Sequence, residues 1–403
     1  MEKIGLVRTR DGRNFLVPFI LITSLFFLWG VAHSILDVLN KHFQDTLEIT
    51  RTRSALIQAV VYGGYFVMAL PAGKIIRRYG YRTVVLTGLV LYGIGALLFI
   101  PGGRIQSFEF FLTALFVIGC GLTCLETAAN PYVTVLGEPE GSERRINLAQ
   151  AFNGLGWICG PLAGGFFLFA GGGDVTTPYA VLGSVVLLIA LCFSRVKLPE
   201  VDREEESKAP ETGGKERSLW KTVSFTAGLF SLFLYVAAQT GINSFFINYA
   251  TEHAGISARE ASVWLSFGGM GLFMAGRMGG SWLMRFVRSE KVLAGCAVGA
   301  VASMLGVIFL PGEVGWYCFM LCFFCESVMF PTIFSLAIRK VGSDTKRASS
   351  FLIMSIVGGA IAPILMGMIA DSYSMAVAFV VPLVCFVEIL WFAVRYRKLQ
   401  NVC

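Results

Sequence analysis

Charge is what this sequence has least of. Asp, Glu, Lys and Arg make up 15% of its 403 residues, against roughly 25% in a soluble domain. The deficit runs along the whole chain, so lipid must replace water over most of the surface. Histidine is scarcer still, with His33, His42 and His253 alone. That leaves a membrane-embedded enzyme acting on lipid or sugar without the clustered His and Asp it would need at a helix end. No Gly-x4-Gly-Lys-Ser/Thr loop is present, so an ATP-driven pump would have to borrow its motor from another chain. The ten cysteines are scattered, several in mid-span (Cys120, Cys124, Cys159, Cys192, Cys322, Cys325), without metal-ligand spacing. They read as small apolar filler, and neither a metal nor a cofactor is expected. The first apolar span is too long for a removable leader and lacks a small-residue cleavage site.

What the chain has in excess is apolar length: it is 55% hydrophobic, with a mean hydropathy of +0.69. Stretches of about 20 residues, each able to cross a ~30 Å hydrocarbon core, recur about twelve times. They lie near 15–40, 53–76, 83–101, 107–136, 147–171, 178–195, 220–250, 261–286, 290–310, 315–338, 348–371 and 376–395. All are expected to be helices, because a backbone in lipid must satisfy its own hydrogen bonds. The net charge of +7 does not point to nucleic acid. The basic residues gather at one side: Lys3, Arg8, Arg10 and Arg13, then Lys74, Arg77, Arg78 and Arg82, and later Arg285, Arg288, Lys291, Arg339, Lys340, Lys346 and Arg347. Positive-inside bias then predicts a multi-pass protein with both termini cytoplasmic, and the expected location is a bacterial inner membrane.

Residues 200–215 (EVDREEESKAPETGGK) form the one long polar run, with the composition of a solvated linker. The expected organisation is a six-helix half at 1–199, a cytoplasmic linker at 200–219 and a second six-helix half at 220–403. The halves repeat one another. FLWGVAHSILD (Phe27 to Asp37) aligns with FLYVAAQTGIN (Phe233 to Asn243), setting His33 against Gln239, Ser34 against Thr240 and Asp37 against Asn243. Glu126 and Pro131 are spaced as Glu326 and Pro331 are; Arg145, Gly156 and Pro161 recur as Arg347, Gly358 and Pro363. Parallel six-helix repeats are the signature of the major facilitator architecture, which binds substrate near the midplane between its halves. The expected fold is therefore an all-α membrane protein of two pseudo-symmetric six-helix halves.

Most charged residues sit in loops or at the span ends, so Asp37, Glu126, Arg277, Glu326 and Glu388 stand out inside the spans. A charge at the bilayer centre costs about 2.5–3.5 kcal/mol, so such residues generally face a cavity or a partner. Glu126 opens Glu-Thr-Ala-Ala-Asn-Pro, where Pro131 removes a backbone donor and frees the carbonyl four residues back. Carboxyl, Asn130 amide and broken ladder thus share one short stretch, which makes Glu126 a candidate for holding and releasing a proton. His33, Ser34 and Asp37 form a polar stripe at i, i+1 and i+4. Arg277 is expected to face a cavity or pair with a carboxylate, Glu326 is a cavity candidate through the repeat, and Glu388 is expected to have a structural partner. Asn147, Gln150 and Asn153 share a helix face, and amides supply the paired donors and acceptors that suit a hydroxyl-rich ligand. The competing reading of those amides is helix–helix hydrogen bonding. Among the aromatics, Trp29, Phe246 and Phe330 are candidates for stacking on a sugar ring.

Taken together, FFLWGVAHSILD, QAVVYGGYFVMALPAGKI, CLETAANPYVTVLG, NLAQAFN, VAAQTGINSFFINYA, FPTIFSLAIRKVG and SSFLIMSIVGGAIAPILMG resemble the fucose permease family of the major facilitator superfamily, in order and over essentially all the spans. The resemblance implies sugar–proton symport, with Asp37 and Glu126 as the protonatable acids and Gln150 and Asn153 facing the sugar. His33, Ser34, Asn130, Gln239, Asn243, Arg277, Glu326 and Phe330 complete the candidate substrate site. Proton is the implied coupling ion, a monosaccharide the implied partner, and a monomer the implied working unit. His33 and Ser34 stand where the family's fucose permease has asparagines, and Asn243 where it has tryptophan. Glu326 replaces an apolar residue, and Met329-Phe330 is closer to glucose/galactose members. L-Fucose therefore leads as substrate, with glucose, galactose or an amino sugar as alternatives, and a non-transporting sugar sensor as a further one.

Overall fold

The computed structural model describes residues 7, 14–134, 136–137, 142–170, 174–195, 219–284, 286–310, 312–339, 341 and 345–401. The expected linker lies outside the described residues except at Leu219, as do Lys3, Arg8, Arg10, Arg13 and the side chains of Asn147 and Arg347.

The described chain is built of helices. The first seven membrane-length helices are α1 (Leu16–Leu47), α2 (Arg51–Ile76), α3 (Tyr81–Ile105), α4 (Phe108–Asn130), α5 (Leu148–Phe169), α6 (Thr176–Arg195) and α7 (Val223–His253). Next comes α8, continuous through Ala258–Val263, a π-helical stretch Trp264–Met270 and Gly271–Leu283. The remaining four are α9 (Ser289–Phe309), α10 (Glu313–Ile338), α11 (Phe351–Ser372) and α12 (Met375–Leu399). Eleven of these are long and apolar enough to cross a membrane. The exception, α8, has the length but not the hydropathy, because glycines and Arg277 dilute its apolar residues.

Polar caps start several of the helices. At α8 the Ser257 side chain accepts from Glu260 N while Glu260 reaches back to the Ser257 backbone, a reciprocal capping box. At α6 the Asp174 carboxylate accepts from Thr176 N at 2.7 Å, from Thr177 N at 3.2 Å and from the Thr177 hydroxyl. Those bonds, the Thr177 hydroxyl first, hold the Asp174 carboxyl below the usual carboxylate range.

The chain divides into two compact units. Unit 1 comprises Met1–Leu36 and Gly63–Pro210; unit 2 comprises Asp37–Tyr62 and Glu211–Cys403. In unit 1, α3 packs on α4 and α6. In unit 2, α7 packs on α10, α11 and α12, and α9 on α10 and α12. The repeat read from sequence reappears as one close contact in each unit. A Cβ on Gly156 of α5 would collide with Phe27 O of α1, and a Cβ on Gly358 of α11 would collide with Phe233 O of α7. Phe27 and Phe233 are repeat partners, as are the two glycines, so equivalent backbones touch where a side chain would hold them apart.

Segment 37–62 is tied into unit 2 by polar contacts. Asn40 Nδ2 donates to Ser244 O at 2.6 Å, and Asn248 Nδ2 to Gln44 Oε1 at 2.6 Å. The Arg51 guanidinium pairs with Glu252 and donates to Ala370 O at 2.7 Å. Asp371 receives the backbone N–H groups of Arg51 and Thr52 at 3.0 and 2.9 Å, and the Thr52 hydroxyl at 2.6 Å. A carboxylate from α11 thus satisfies donors that the first turn of α2 would otherwise leave unpaired.

Candidate functional site

In unit 1 the candidate residues converge on α1, α4 and α5. His33 Nε2 lies 2.9 Å from the Tyr65 hydroxyl, and the same tyrosine neighbours the Glu126 carboxyl. His33, Tyr65 and Glu126 therefore form one polar line across α1, α2 and α4. Its first member is sandwiched: the His33 ring stacks on Trp157 at 6.1 Å and 16°, and meets Trp29 edge-on at 6.2 Å. Aromatic walls fix the imidazole plane, and the Tyr65 bond bears on which nitrogen carries the proton. Glu126 is half-buried within this line.

The amides of unit 1 divide between two tasks. Gln150 Nε2 reaches Asn130 Oδ1 at 3.4 Å, and both side chains are half-buried. Asn153 Nδ2 donates to Phe26 O at 3.0 Å, the kind of helix–helix bond that was the competing reading for this face. Ser34 is fully buried and donates to Gly30 O at 2.8 Å and Gly156 O at 3.3 Å. The close approach of α1 and α5 at Gly156 brings both side chains within reach of the opposite backbone.

In unit 2, Asp37 is 2% exposed, so it is not a solvated helix end. Its Oδ1 accepts from Gln58 Nε2 at 3.0 Å. Thr240, the repeat partner of Ser34, meets the Tyr62 hydroxyl at 3.2 Å. Asn243 is buried with its Oδ1 unpaired, while Gln239 is half-buried. Phe330 packs on Tyr235 with ring centroids 6.1 Å apart.

Arg277 is exposed and has no carboxylate partner among the described residues. Its Nε donates to Ser327 O at 3.3 Å, and its guanidinium lies 4.9 Å from the Phe273 ring centroid. The reason is local: Pro331 cannot donate to the carbonyl four residues back, and its ring crowds that carbonyl. The residue four back is Ser327, and α10 is interrupted there, its α-helical parts being Glu313–Glu326 and Met329–Ile338. Arg277 satisfies the carbonyl that Pro331 frees. Glu326 is fully buried with neither oxygen hydrogen-bonded. Glu388 has the structural partner expected of it, its Oε1 accepting from Ser231 at 3.0 Å. The nine cysteines among the described residues are free thiols.

Gln58, Tyr65 and Trp157 were not singled out from the sequence, although each touches a candidate residue. Gln58 and Tyr65 both lie in QAVVYGGYFVMALPAGKI, a stretch that carried the family resemblance. Trp157 follows Gly156 directly, on the helix turn that the glycine brings against α1.

The family model of the Major Facilitator Superfamily matches residues 15–356. The chain is 37% identical to an L-fucose-proton symporter of Escherichia coli, with 96% of this chain and 94% of that protein covered. It is 34% identical to a glucose/galactose transporter of Brucella abortus, over 97% and 96% of the two chains. Among solved structures it resembles the major facilitator transporter FucP in its outward conformation, with a TM-score of 0.68 and 36% identity, covering 95% of this chain and 99% of that one. Helices of membrane length, internal repeat and relatives agree: the chain is a multi-pass membrane transporter, not an enzyme, and belongs to the fucose permease family of the major facilitator superfamily.

Proposed function

We propose that the chain imports a monosaccharide together with a proton, as a symporter working by alternating access, with L-fucose the leading substrate. The observation that carries this reading is the His33–Tyr65–Glu126 line. With its proton on Nε2, His33 donates to Tyr65, whose hydroxyl then donates to Glu126. A carboxyl at the end of such a line senses any ligand that rearranges the imidazole, and this is the coupling a symporter requires. Asp37, joined to Gln58, is the second acid. The amides of Asn130, Gln150 and Asn153 in unit 1, and separately those of Gln239 and Asn243 in unit 2, have the paired donors and acceptors that sugar hydroxyls need. His33, Ser34 and Phe330 complete the contacts. The names of the relatives support a monosaccharide as cargo and a proton as coupling ion.

A glucose or galactose cargo is the second reading, favoured by the Brucella relative at 34% identity against 37% for the fucose symporter. Radiolabelled uptake into proteoliposomes tests both, with and without an imposed proton gradient, over L-fucose, galactose, glucose and N-acetylglucosamine. Gradient-dependent accumulation of L-fucose above the others is the expected result. Accumulation indifferent to the gradient overturns proton coupling, and binding without accumulation turns the reading to a sensor. We place both termini and the linker on the cytoplasmic side of a bacterial inner membrane, with one chain sufficient for transport. Labelling of Ser207→Cys from outside intact cells, in a cysteine-free background, would refute that orientation.

A further inference from the structure

Unit 2 holds a second acid that this mechanism does not use. Glu326 has no exposed surface, and neither carboxyl oxygen has a hydrogen-bond partner among the described residues. An ionised carboxylate left in that state would forfeit its hydration and receive nothing in return, whereas a neutral acid forfeits far less. Groups that face it from the elements around it offer no counter-charge in contact. Tyr235 on α7 is buried with its own hydroxyl unpaired. Cys322 and Cys325 on α10 are neutral thiols close by, with Cys296 of α9 beyond Cys325. Arg277 on α8 interacts with Tyr235, as Glu326 does, and rests on Ser327 O, the carbonyl next to Glu326 in the chain.

The carbonyl holding the guanidinium is the one that Pro331 leaves without its helical donor. A helix carbonyl is a weak anchor for a cation beside a carboxyl. We propose that Glu326 is a further proton-binding site of the transporter, protonated while Arg277 rests on Ser327 O and ionised when the guanidinium moves from that carbonyl to the carboxylate, the proton passing to water that enters with the movement. Tyr235, whose hydroxyl is unpaired in the present arrangement, is the group placed to donate to the carboxylate once it forms. Burial then keeps the proton on Glu326 in one state of the cycle, and Arg277 removes it in the other.

The inference rests on the symport reading, and its test separates the two. Infrared difference spectra of the purified protein in lipid, wild type minus Glu326→Gln, report the carboxyl directly whether or not sugar is carried. The expected result at neutral pH is the loss of one protonated-carboxyl C=O band in Glu326→Gln, with melting temperature as the control for folding. Arg277→Gln should keep the band and abolish its sugar-induced change, while Tyr235→Phe should shift its frequency on sugar binding. A difference spectrum showing an ionised carboxylate, or no Glu326 signal at all, overturns the proposal. If Glu326→Gln fails to fold, the sugar-induced band in Arg277→Gln decides: its persistence overturns the exchange. Absence of sugar-driven proton uptake by the wild type would instead sink the symport reading and leave the infrared result standing.

Discussion

Glu126 and Glu326 occupy the same place in the repeat, each five residues before a proline, and the two units treat them in opposite ways. In unit 1 the helix carrying Glu126 runs unbroken through Pro131 to Thr134; the carboxyl is half-buried and joined to Tyr65. In unit 2 the helix is interrupted at Ser327 and Val328, and the carboxyl is sealed and unpaired. Residues between acid and proline differ accordingly. Thr-Ala-Ala-Asn is small and polar, whereas Ser-Val-Met-Phe is bulky, and Val328 and Met329 are buried while Phe330 packs on Tyr235. A repeat therefore preserves where a residue sits along the helix, while the side chains beside it decide whether it meets water, a partner or neither.

The sharpest way to break the comparison is Glu126→Gln. If the acid of unit 1 exchanges the transported proton, gradient-driven accumulation should vanish while sugar exchange persists. Accumulation equal to wild type would remove Glu126 from coupling. Asp37→Asn should come next in size. An asparagine keeps an oxygen to accept from Gln58, so the fold is retained and the loss falls on energised uptake, measured as the ratio of accumulated to exchanged sugar. Tyr65→Phe is smaller again. It severs the line between His33 and Glu126, and one lost hydrogen bond of about 0.5–1.5 kcal/mol corresponds to a roughly 2- to 13-fold change in sugar affinity. An unchanged affinity would leave His33 and Glu126 uncoupled.

Much of the architecture was legible because lipid imposes strict rules. The spans follow from apolar length and the candidate charges from their rarity. The repeat follows from matched motifs, and the family resemblance singles out Asp37 and Glu126 as the two acids. Less legible was what depends on side-chain geometry. The sequence marks a proline after each glutamate and gives each the same missing donor, yet the helix continues through Pro131 and is interrupted before Pro331, where larger neighbours must be accommodated. Hydropathy likewise underrates α8, because glycine and Arg277 count against it even though the helix is continuous. Tyr65 and Gln58 went unnoticed because uncharged polar residues are common in such helices. Nothing in their spacing shows that each ends on a carboxyl.

The smallest expected effects separate two amides on one face of unit 1. Asn153 Nδ2 is committed to Phe26 O at 3.0 Å, while Gln150 makes a long 3.4 Å contact with Asn130. Asn153→Ala removes a bond that ties α5 to α1 beside the Gly156 contact and leaves Phe26 O short of a donor. Stability should fall by about 0.5–1.5 kcal/mol, seen as a lower melting temperature in detergent, whatever happens to sugar binding. Gln150→Ala gives up a bond that is near the limit of useful geometry, so the fold should be indifferent to it. Any loss then belongs to the ligand: sugar affinity should weaken about twofold, the lower end for one neutral hydrogen bond, at an unchanged melting temperature. If Gln150→Ala lowers the melting temperature as Asn153→Ala does, the whole amide face serves helix packing, and the sugar must take its hydroxyl partners elsewhere.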